Sequence, residues 1–379
     1  MSIPYALEGI EHGKGVLNGS TAIAEMLVAA ISEFAEVTVV TDRPDRFSGH
    51  RTVSIFRENP IRAHGFEEFW RREYRVFGAP TAGDFSRDSL YRVFQLANAV
   101  DPGRLDAILA ETDCEVVVLN RQEHFFLSRH PGLCDRKLVF FTHDSHYQRK
   151  LSYEENYGAA QPLTHVEQAI ESAFVAEAGK LVTISVEEQT HFSRLATGCE
   201  VVLFRPTIAR PQRLVELAEQ TAVRFYFIGV NNFVNRQTMA RAHEWFLENG
   251  RPGADEFHVF GSVCHAVEAV GADQGVFLHG HVDDLACAVA GMHVLLAPIQ
   301  SGSGVPLKVA DALGAGHLVL ASAFGADSYP EFIGSRIVLS DGDAGQVLDA
   351  LRAAPATYVP YEAYASKNRQ AARQIVGVE

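Results

Sequence analysis

An α/β fold, with two Rossmann-like domains facing a deep cleft, is what this sequence predicts, and three observations predict it. Short, continuous, β-branched apolar runs recur along the chain. Helical stretches lie between several of them. The pattern pauses once, near residues 206–222, and then restarts. Apolar runs of four to seven residues without alternation mark strands buried on both faces, and strands separated by helices give a parallel sheet. At 379 residues the chain has room for two or three domains of roughly 150 residues.

In the first half the runs are Val37–Thr41, Glu115–Leu119, Lys137–Phe141, Leu181–Ser185 and Val201–Phe204. The stretch Thr21–Phe34 places Ile23, Leu27, Ala30, Ile31 and Phe34 on one helical stripe, and Val166–Ala178 is similar. The pause at Arg205–Ala222 holds Pro206 and Pro211 and then a charged segment that reads as a helical connector. The second set of runs is Val223–Gly229, Glu256–Gly261, Val276–Gly280, Val294–Pro298, Leu318–Ser322 and Arg336–Leu339. Helices fit Arg236–Glu248, Asp284–Gly291 and Leu307–Ala315. The expected organisation is a domain over 1–206, a linker over 207–221, a second domain over 222–355 and a helical tail over 356–379, for which a return to the first domain is one course.

Composition narrows the function classes. Basic residues number 33 and acidic ones 47, a net charge of −14, which argues against a nucleic-acid partner because such binding needs a basic face to displace counterions. At 47% hydrophobic and 21% charged the chain reads as an ordinary globular protein. No apolar run approaches the roughly 18–20 residues of a spanning helix, and Met1–Ile10 lacks the basic flank and apolar core of a signal peptide. Five cysteines without a Cys-x-x-Cys pair fit a reducing cytoplasm. The 16 histidines include no His-Glu-x-x-His spacing; His279 and His281, at alternate positions on a strand end, read as structural, so no metal is expected.

The most informative segment is Pro298–Ser322. A strand ends at Pro298, a loop of small residues follows (Ser301, Gly302, Ser303, Gly304), and a helix begins near Pro306. Glycines allow close backbone approach, and a helix N-terminus with exposed N–H groups favours an anion such as a diphosphate. Lys308 lies in the first helical turn and adds charge. Asp311, three residues on and on the same face, is suited to accept from ribose hydroxyls. Without such a ligand the segment would be a flexible loop before a core helix.

The segment SGSGVPLKVADALGAGHLVLAS resembles the signature of GT-B glycosyltransferases of the retaining group 1 family. It is preceded by Gly280-His281-Val282-Asp283-Asp284-Leu285, which resembles that family's Gly-x-Val-x-Asp-Leu segment. Phe227-Ile228-Gly229 with Asn235, Trp245 and Phe246 is similar to the opening of its donor domain, and Thr183–Glu187 with Val201, Val202 and Pro206 to the end of its first domain. The resemblance spans about residues 115–345. It implies that the second domain holds a nucleoside diphosphate sugar through Gly302, Ser303, Gly304, Val305, Lys308 and Asp311, and that the first holds the acceptor. Two departures stand out. Ser301–Gly304 replaces the first of two glutamates found in many members, with Asp311 at the second position, as in a branch with a Gly-Ser-Gly loop. The Arg and Lys pair after the first donor-domain strand is missing from Gly229–Asn235.

In the first domain, Phe140-Phe141-Thr142-His143-Asp144 ends a strand. The family has a histidine here that contacts the donor sugar near the reacting centre, and His143 is matched to it. Asp144 is placed either to orient the ring or to act itself. A histidine that only caps the following turn, or His146 in its place, are the competing readings. Arg149 and Lys150 read as a solvated face rather than an anion site. The loop Glu11–Ser20 carries Gly13, Gly15 and Gly19, with Ser20 or Thr21 as helix cap. The resemblance implies that these glycines face the donor phosphates and the acceptor.

The resulting expectation is a metal-independent hexosyltransferase without cofactor. It uses a nucleoside diphosphate sugar as co-substrate and a saccharide, lipid-linked or protein hydroxyl as acceptor, in polysaccharide or glycoconjugate synthesis. A sugar-nucleotide epimerase of the same fold and a non-catalytic glycosyltransferase-like scaffold are the alternatives. Trp70, Tyr74 and Phe77 recur at helical spacing among Arg71, Arg72 and Arg75, in a stretch Arg43–Arg92 with ten basic and seven acidic residues. That pattern suits either packing on the sheet or a peripheral contact with an anionic membrane surface.

Overall fold

The computed structural model describes residues 2–3, 19–40, 47, 49–53, 100–158, 166–196, 198–217, 222–251, 253–266, 275–340 and 344–378. Gly13, Gly15 and the Trp70–Phe77 stripe lie outside the described residues. The chain divides into two compact units, residues 1–206 with 368–379, and residues 207–367.

The first unit contains β1 (Ser2–Ile3), β2 (Thr38–Val40), β3 (Arg51–Val53), β4 (Val116–Asn120), β5 (Lys137–Phe141), β6 (Lys180–Thr183) and β7 (Glu200–Leu203) in one parallel sheet of order β3-β2-β1-β4-β5-β6-β7. Its helices are α1 (Gly19–Ile31), α2 (Pro102–Glu111), α3 (His146–Tyr157), α4 (Gln168–Val175) and α5 (Val186–Leu195). The second unit contains β8 (Arg224–Ile228), β9 (Glu256–Phe260), β10 (Val276–Gly280), β11 (Val294–Ala297), β12 (Leu318–Ala321) and β13 (Ile337–Leu339), again all parallel, in the order β10-β9-β8-β11-β12-β13. Its helices are α6 (Phe233–Asn249), α7 (Leu285–Val289), α8 (Leu307–Gly314), α9 (Ala323–Ala326) and α10 (Ala344–Ala353). A last helix, α11 (Val359–Val376), belongs to the second unit up to Lys367 and to the first from Asn368.

Both sheets are covered on both faces, which is why their strands read as unbroken apolar runs. In the second unit Tyr226, Leu295 and Val319 pack into one core, while their strand neighbours Phe225, Phe227, Val294, Leu296 and Leu320 pack into the other. Each such side chain contributes roughly 1.5–3 kcal/mol of burial. Polar residues at the strand exits turn the chain into helices. Ser145 Oγ accepts from Gln148 N at 3.1 Å, Ser185 Oγ from Glu188 N at 3.1 Å, and Asn232 Oδ1 from Asn235 N at 2.8 Å.

Two local expectations fail. The connector is not helical over its described residues 207–217. Pro206 and Pro211 break a helical ladder, Ile208, Leu214 and Leu217 are buried, and the Val215 N–H is spent on Gly316 O at 2.8 Å. The first helix begins at Gly19, with Ser20 and Thr21 inside its first turn rather than before it. No described helix is long and apolar enough to cross a membrane.

Candidate functional site

Parallel sheets place ligand-binding loops at the carboxyl ends of strands where the strand order reverses. In the second sheet the reversal lies between β8 and β11. Gly229 follows β8 and Gly261 follows β9, and these turns touch: a Cβ on Gly261, at φ +96, would meet Gly229 O at 2.3 Å. After β11 the loop reaches Gly302 at φ +144 and Gly304 at φ +74, conformations that favour glycine, and α8 starts just after Pro306.

Lys308, in the first turn of α8, is half-buried. Its Nζ donates to Asn235 Oδ1 at 2.8 Å and stands 4.2 Å from the centroid of the Phe227 ring. Asn235 is itself pinned, its Nδ2 donating to Val230 O at 3.0 Å. Among the described residues no carboxylate pairs with Lys308, and burial pushes its ammonium down to about 7. The strand exit that lacks the expected Arg and Lys pair is thus met by Lys308 from α8, in addition to Arg236, whose Nη1 donates to Asn231 Oδ1 at 3.2 Å. Ser303 and Val305 are half-buried on the loop. Asp311 is exposed as a residue, while the protein around its carboxyl still raises its pKa above the ordinary value. His279 stacks on Phe260 at 4.4 Å and hydrogen-bonds His258 at 2.9 Å, and His281 lies 3.7 Å from Asp283. Among the described residues no cluster of three or more His, Cys, Asp or Glu could hold a metal ion.

In the first sheet the reversal lies between β1 and β4. β5 is next to β4, and His143 stands two residues beyond it in the left-handed region, φ +60. The side chain is 4% exposed, its ring 4.4 Å from that of Phe141, and its Nε2–H donates to Asn120 Oδ1 at the end of β4. That bond places the ring proton on Nε2. Asp144 does not orient this ring. Its carboxylate pairs with Arg149 and lies 3.4 Å from His146 Nε2, so Asp144 is spent on the first turn of α3. Arg149 and Lys150 are not a solvated face either. Both are largely covered, and Lys150 pairs with Glu167, a contact that raises its pKa, and with Glu154 at 3.6 Å. Gly19 is the first residue of α1.

Sequence reasoning missed three residues here. Asn120 ends the strand VVVLN, where a polar residue after an apolar run was the available signal. Glu171 and Glu188, 0% and 1% exposed, lie beneath the turn that carries His143. The spacing Ser185-x-x-Glu188 is a capping-box pattern, yet the Glu188 carboxylate accepts from Ser145 N at 2.8 Å with one oxygen, while the other accepts from Ile184 N at 3.4 Å.

The glycosyl transferases group 1 family model matches residues 216–354. No curated protein sequence matches the chain. Among solved structures, the chain is similar to the apo form of the lipopolysaccharide outer core galactosyltransferase WaaB (10% identity, 99% of this chain and 98% of that one, TM-score 0.59). It is also similar to Anabaena Alr3699/HepE in complex with UDP-glucose (11% identity, 100% and 99%, TM-score 0.59). It spans 56% of the length of another match, a mutant of S. aureus TarM in complex with Fondaparinux, alpha-GlcNAc-glycerol and UDP (13% identity, 73% of this chain, TM-score 0.47). Residues 216–354 thus match the glycosyl transferases group 1 family model, and the fold of the chain is that of GT-B glycosyltransferases.

Proposed function

We propose that the protein is a glycosyltransferase that moves a hexose from a nucleoside diphosphate sugar to a hydroxyl acceptor. The observation that carries this reading is Lys308, a half-buried cation at the reversal point of the second sheet, beside the Gly302–Gly304 loop and the start of α8. In this reading the loop glycines let the diphosphate approach the backbone, and the helix end and Lys308 neutralise it as it leaves. Asp311 accepts from the ribose. The bond from the sugar's anomeric carbon to the diphosphate breaks through an oxocarbenium-like state, the acceptor oxygen bonds that carbon, and the acceptor's proton passes to the departing diphosphate. The anomeric configuration is retained. His143, held by Asn120, serves the transferred sugar, where positioning lowers the barrier.

Use of a saccharide, lipid-linked or protein acceptor in polysaccharide or glycoconjugate synthesis, without a metal, completes the reading. A cytoplasmic location with peripheral membrane contact through Trp70–Phe77 belongs to it, and sedimentation with anionic liposomes that weakens with salt tests that contact. The central test is a thermal-shift panel of UDP, GDP, ADP and TDP sugars. One of them should raise the melting temperature of the wild type more than that of Lys308→Ala. A panel without any shift overturns the reading, and release of an isomerised nucleotide sugar without acceptor would favour an epimerase.

A further inference from the structure

His143 stands on a turn with two wholly buried carboxylates beneath it. A non-glycine residue at φ +60 is uncommon and persists only when its surroundings over-determine it. What surrounds it is Ser145, two residues on. The Ser145 N–H donates to Glu188 Oε1 at 2.8 Å, and its Oγ–H donates to Glu171 Oε2 at 2.7 Å. The next two amides, His146 N and Tyr147 N, donate to Glu171 Oε1 at 2.7 and 3.4 Å. These are first-turn donors of α3 that a helix leaves without an internal partner. They are met here by carboxylates from α4 and α5, 26 and 43 residues away in sequence from Ser145.

Glu171 also reaches the neighbouring strand exit. Gln122 Nε2, two residues past Asn120, donates to Glu171 Oε1 and to Asp144 O, both at 3.2 Å. His191 Nε2 lies 2.8 Å from Glu171 Oε2. The network therefore ties the exit of β4, which carries Asn120, to the exit of β5, which carries His143. Burying two carboxylates costs free energy that an apolar core would avoid, and such groups persist where they fix one geometry.

The ionisation of the pair is consistent with this. Burial alone would raise the Glu171 carboxyl, but hydrogen bonds from His191 and Ser145 outweigh it and hold the group below its ordinary range. Burial pushes Glu188 up to about 7, against the bonds from Ile184 and Ser145, and the charges of Glu171 and Glu187 add to the rise. The other titratable and charged groups packed around the pair are His146, His191, Asp144 and Arg149.

We infer that Glu171 and Glu188 are positioning residues of the His143 site: by taking both donors of Ser145 they fix the turn on which the histidine stands. The inference rests on the reading of His143 as the group that serves the transferred sugar. Three variants test it, Glu171→Gln, Glu188→Gln and Ser145→Ala, the last as the milder change should either glutamine variant fail to fold. The first readout is the His143 Nε2–H proton, observed by nuclear magnetic resonance. Glu171→Gln and Ser145→Ala should shift or broaden it through loss of its bond to Asn120. The second is turnover. Glu171→Gln should lower kcat at least tenfold while nucleotide affinity stays within twofold, and Glu188→Gln should remove an inflection near neutral pH from the kcat profile. A Nε2–H signal unchanged in Glu171→Gln and Ser145→Ala overturns the proposal. A signal that moves while turnover does not leaves the positioning intact and removes His143 from the reaction.

Discussion

The ammonium of Lys308 donates to Asn235 Oδ1 at 2.8 Å, which ties the loop helix after β11 to the first turn of the helix after β8. With no carboxylate partner among the described residues, the Lys308 ammonium has its pKa pushed down to about 7 by burial. A diphosphate beside it restores the preference for the ammonium form. Binding of the nucleotide sugar selected by the thermal-shift panel should therefore take up protons above pH 7. The affinity should rise as pH falls from 8.5 to 7, by up to about tenfold per pH unit. Calorimetry in buffers of different ionisation enthalpy reads the uptake directly. Lys308→Ala should bind weaker by roughly 1.5–3 kcal/mol, with a flat pH dependence. Equal affinity for both proteins at pH 7 would remove Lys308 from the phosphate site.

His143 and Asn120 should separate from Lys308 in their kinetics. His143→Ala should depress kcat by two or more orders of magnitude with nucleotide affinity nearly unchanged, because a group near the reacting carbon acts chiefly in the transition state. Asn120→Ala leaves the ring in place but removes the acceptor for its Nε2–H, so its effect on kcat should be smaller and in the same direction. Turnover of His143→Ala within twofold of wild type would make the histidine structural and move attention to His146.

Gly261→Ala tests the close approach of two strand exits in the second unit. The added Cβ would meet Gly229 O at 2.3 Å, and the residue sits at φ +96. Backbone strain of about 1–2 kcal/mol adds to the displacement of the β8 exit. A lower urea midpoint and weaker nucleotide binding should appear together. A variant of normal stability would show that the two turns separate easily.

Arg336, 0% exposed, donates from Nη1 to Val215 O at 3.0 Å and from Nη2 to Gly316 O at 2.6 Å, joining the connector to the turn after α8. Arg336→Met fills part of the volume but takes the Arg336 donor from Val215 O, at about 1–3 kcal/mol, and one of two donors from Gly316 O, which keeps the Val215 N–H. The expected result is a drop in the melting temperature with nucleotide affinity of the remaining folded protein unchanged. An unaltered melting temperature would mean that the connector is held without Arg336, by its buried Ile208, Leu214 and Leu217 and the Val215 N–H bond to Gly316 O.

Much of this was legible in the sequence. The strands from β4 onward were readable because sheets covered on both faces demand unbroken apolar runs, and Ser301–Lys308 was readable because glycine, proline and lysine each have a local reason to stand there. The connector misled because its charged residues suggested a solvated helix, whereas Leu214 and Leu217 bury themselves and Val215 spends its N–H on Gly316. The partner of His143 was illegible for another reason. Asn120 meets it only through the register that pairs Asn120 with Phe141, which no local pattern reports. Glu171 and Glu188 were hidden because an acidic residue in a helical stretch reads as solvent-facing, and only tertiary structure brings both to Ser145.

Glu188 makes a separable prediction about stability. Its folded pKa is raised to about 7 from an ordinary 4.5, so the folded state binds the proton more tightly than the unfolded chain does. Between those two values the folded state holds more protons, and stability falls as pH rises. The loss begins near pH 4.5, is complete just above pH 7, and is on the order of 3 kcal/mol for a shift of this size. Glu188→Gln carries no titrating group there. Its urea midpoint should therefore gain on that of the wild type as pH rises from 4.5 to 8. Glu171 acts with the opposite sign and in another window. Its folded pKa is lowered, so its contribution is present above the ordinary carboxylate pKa and is lost as pH falls below it. Glu171→Gln should accordingly be destabilised relative to wild type at neutral pH, and the gap should narrow in acid. Urea midpoints at half-unit intervals from pH 3.5 to 8 distinguish the two acids. A Glu188→Gln curve parallel to wild type from pH 4.5 to 8 would show that Glu188 ionises at the same pH folded and unfolded.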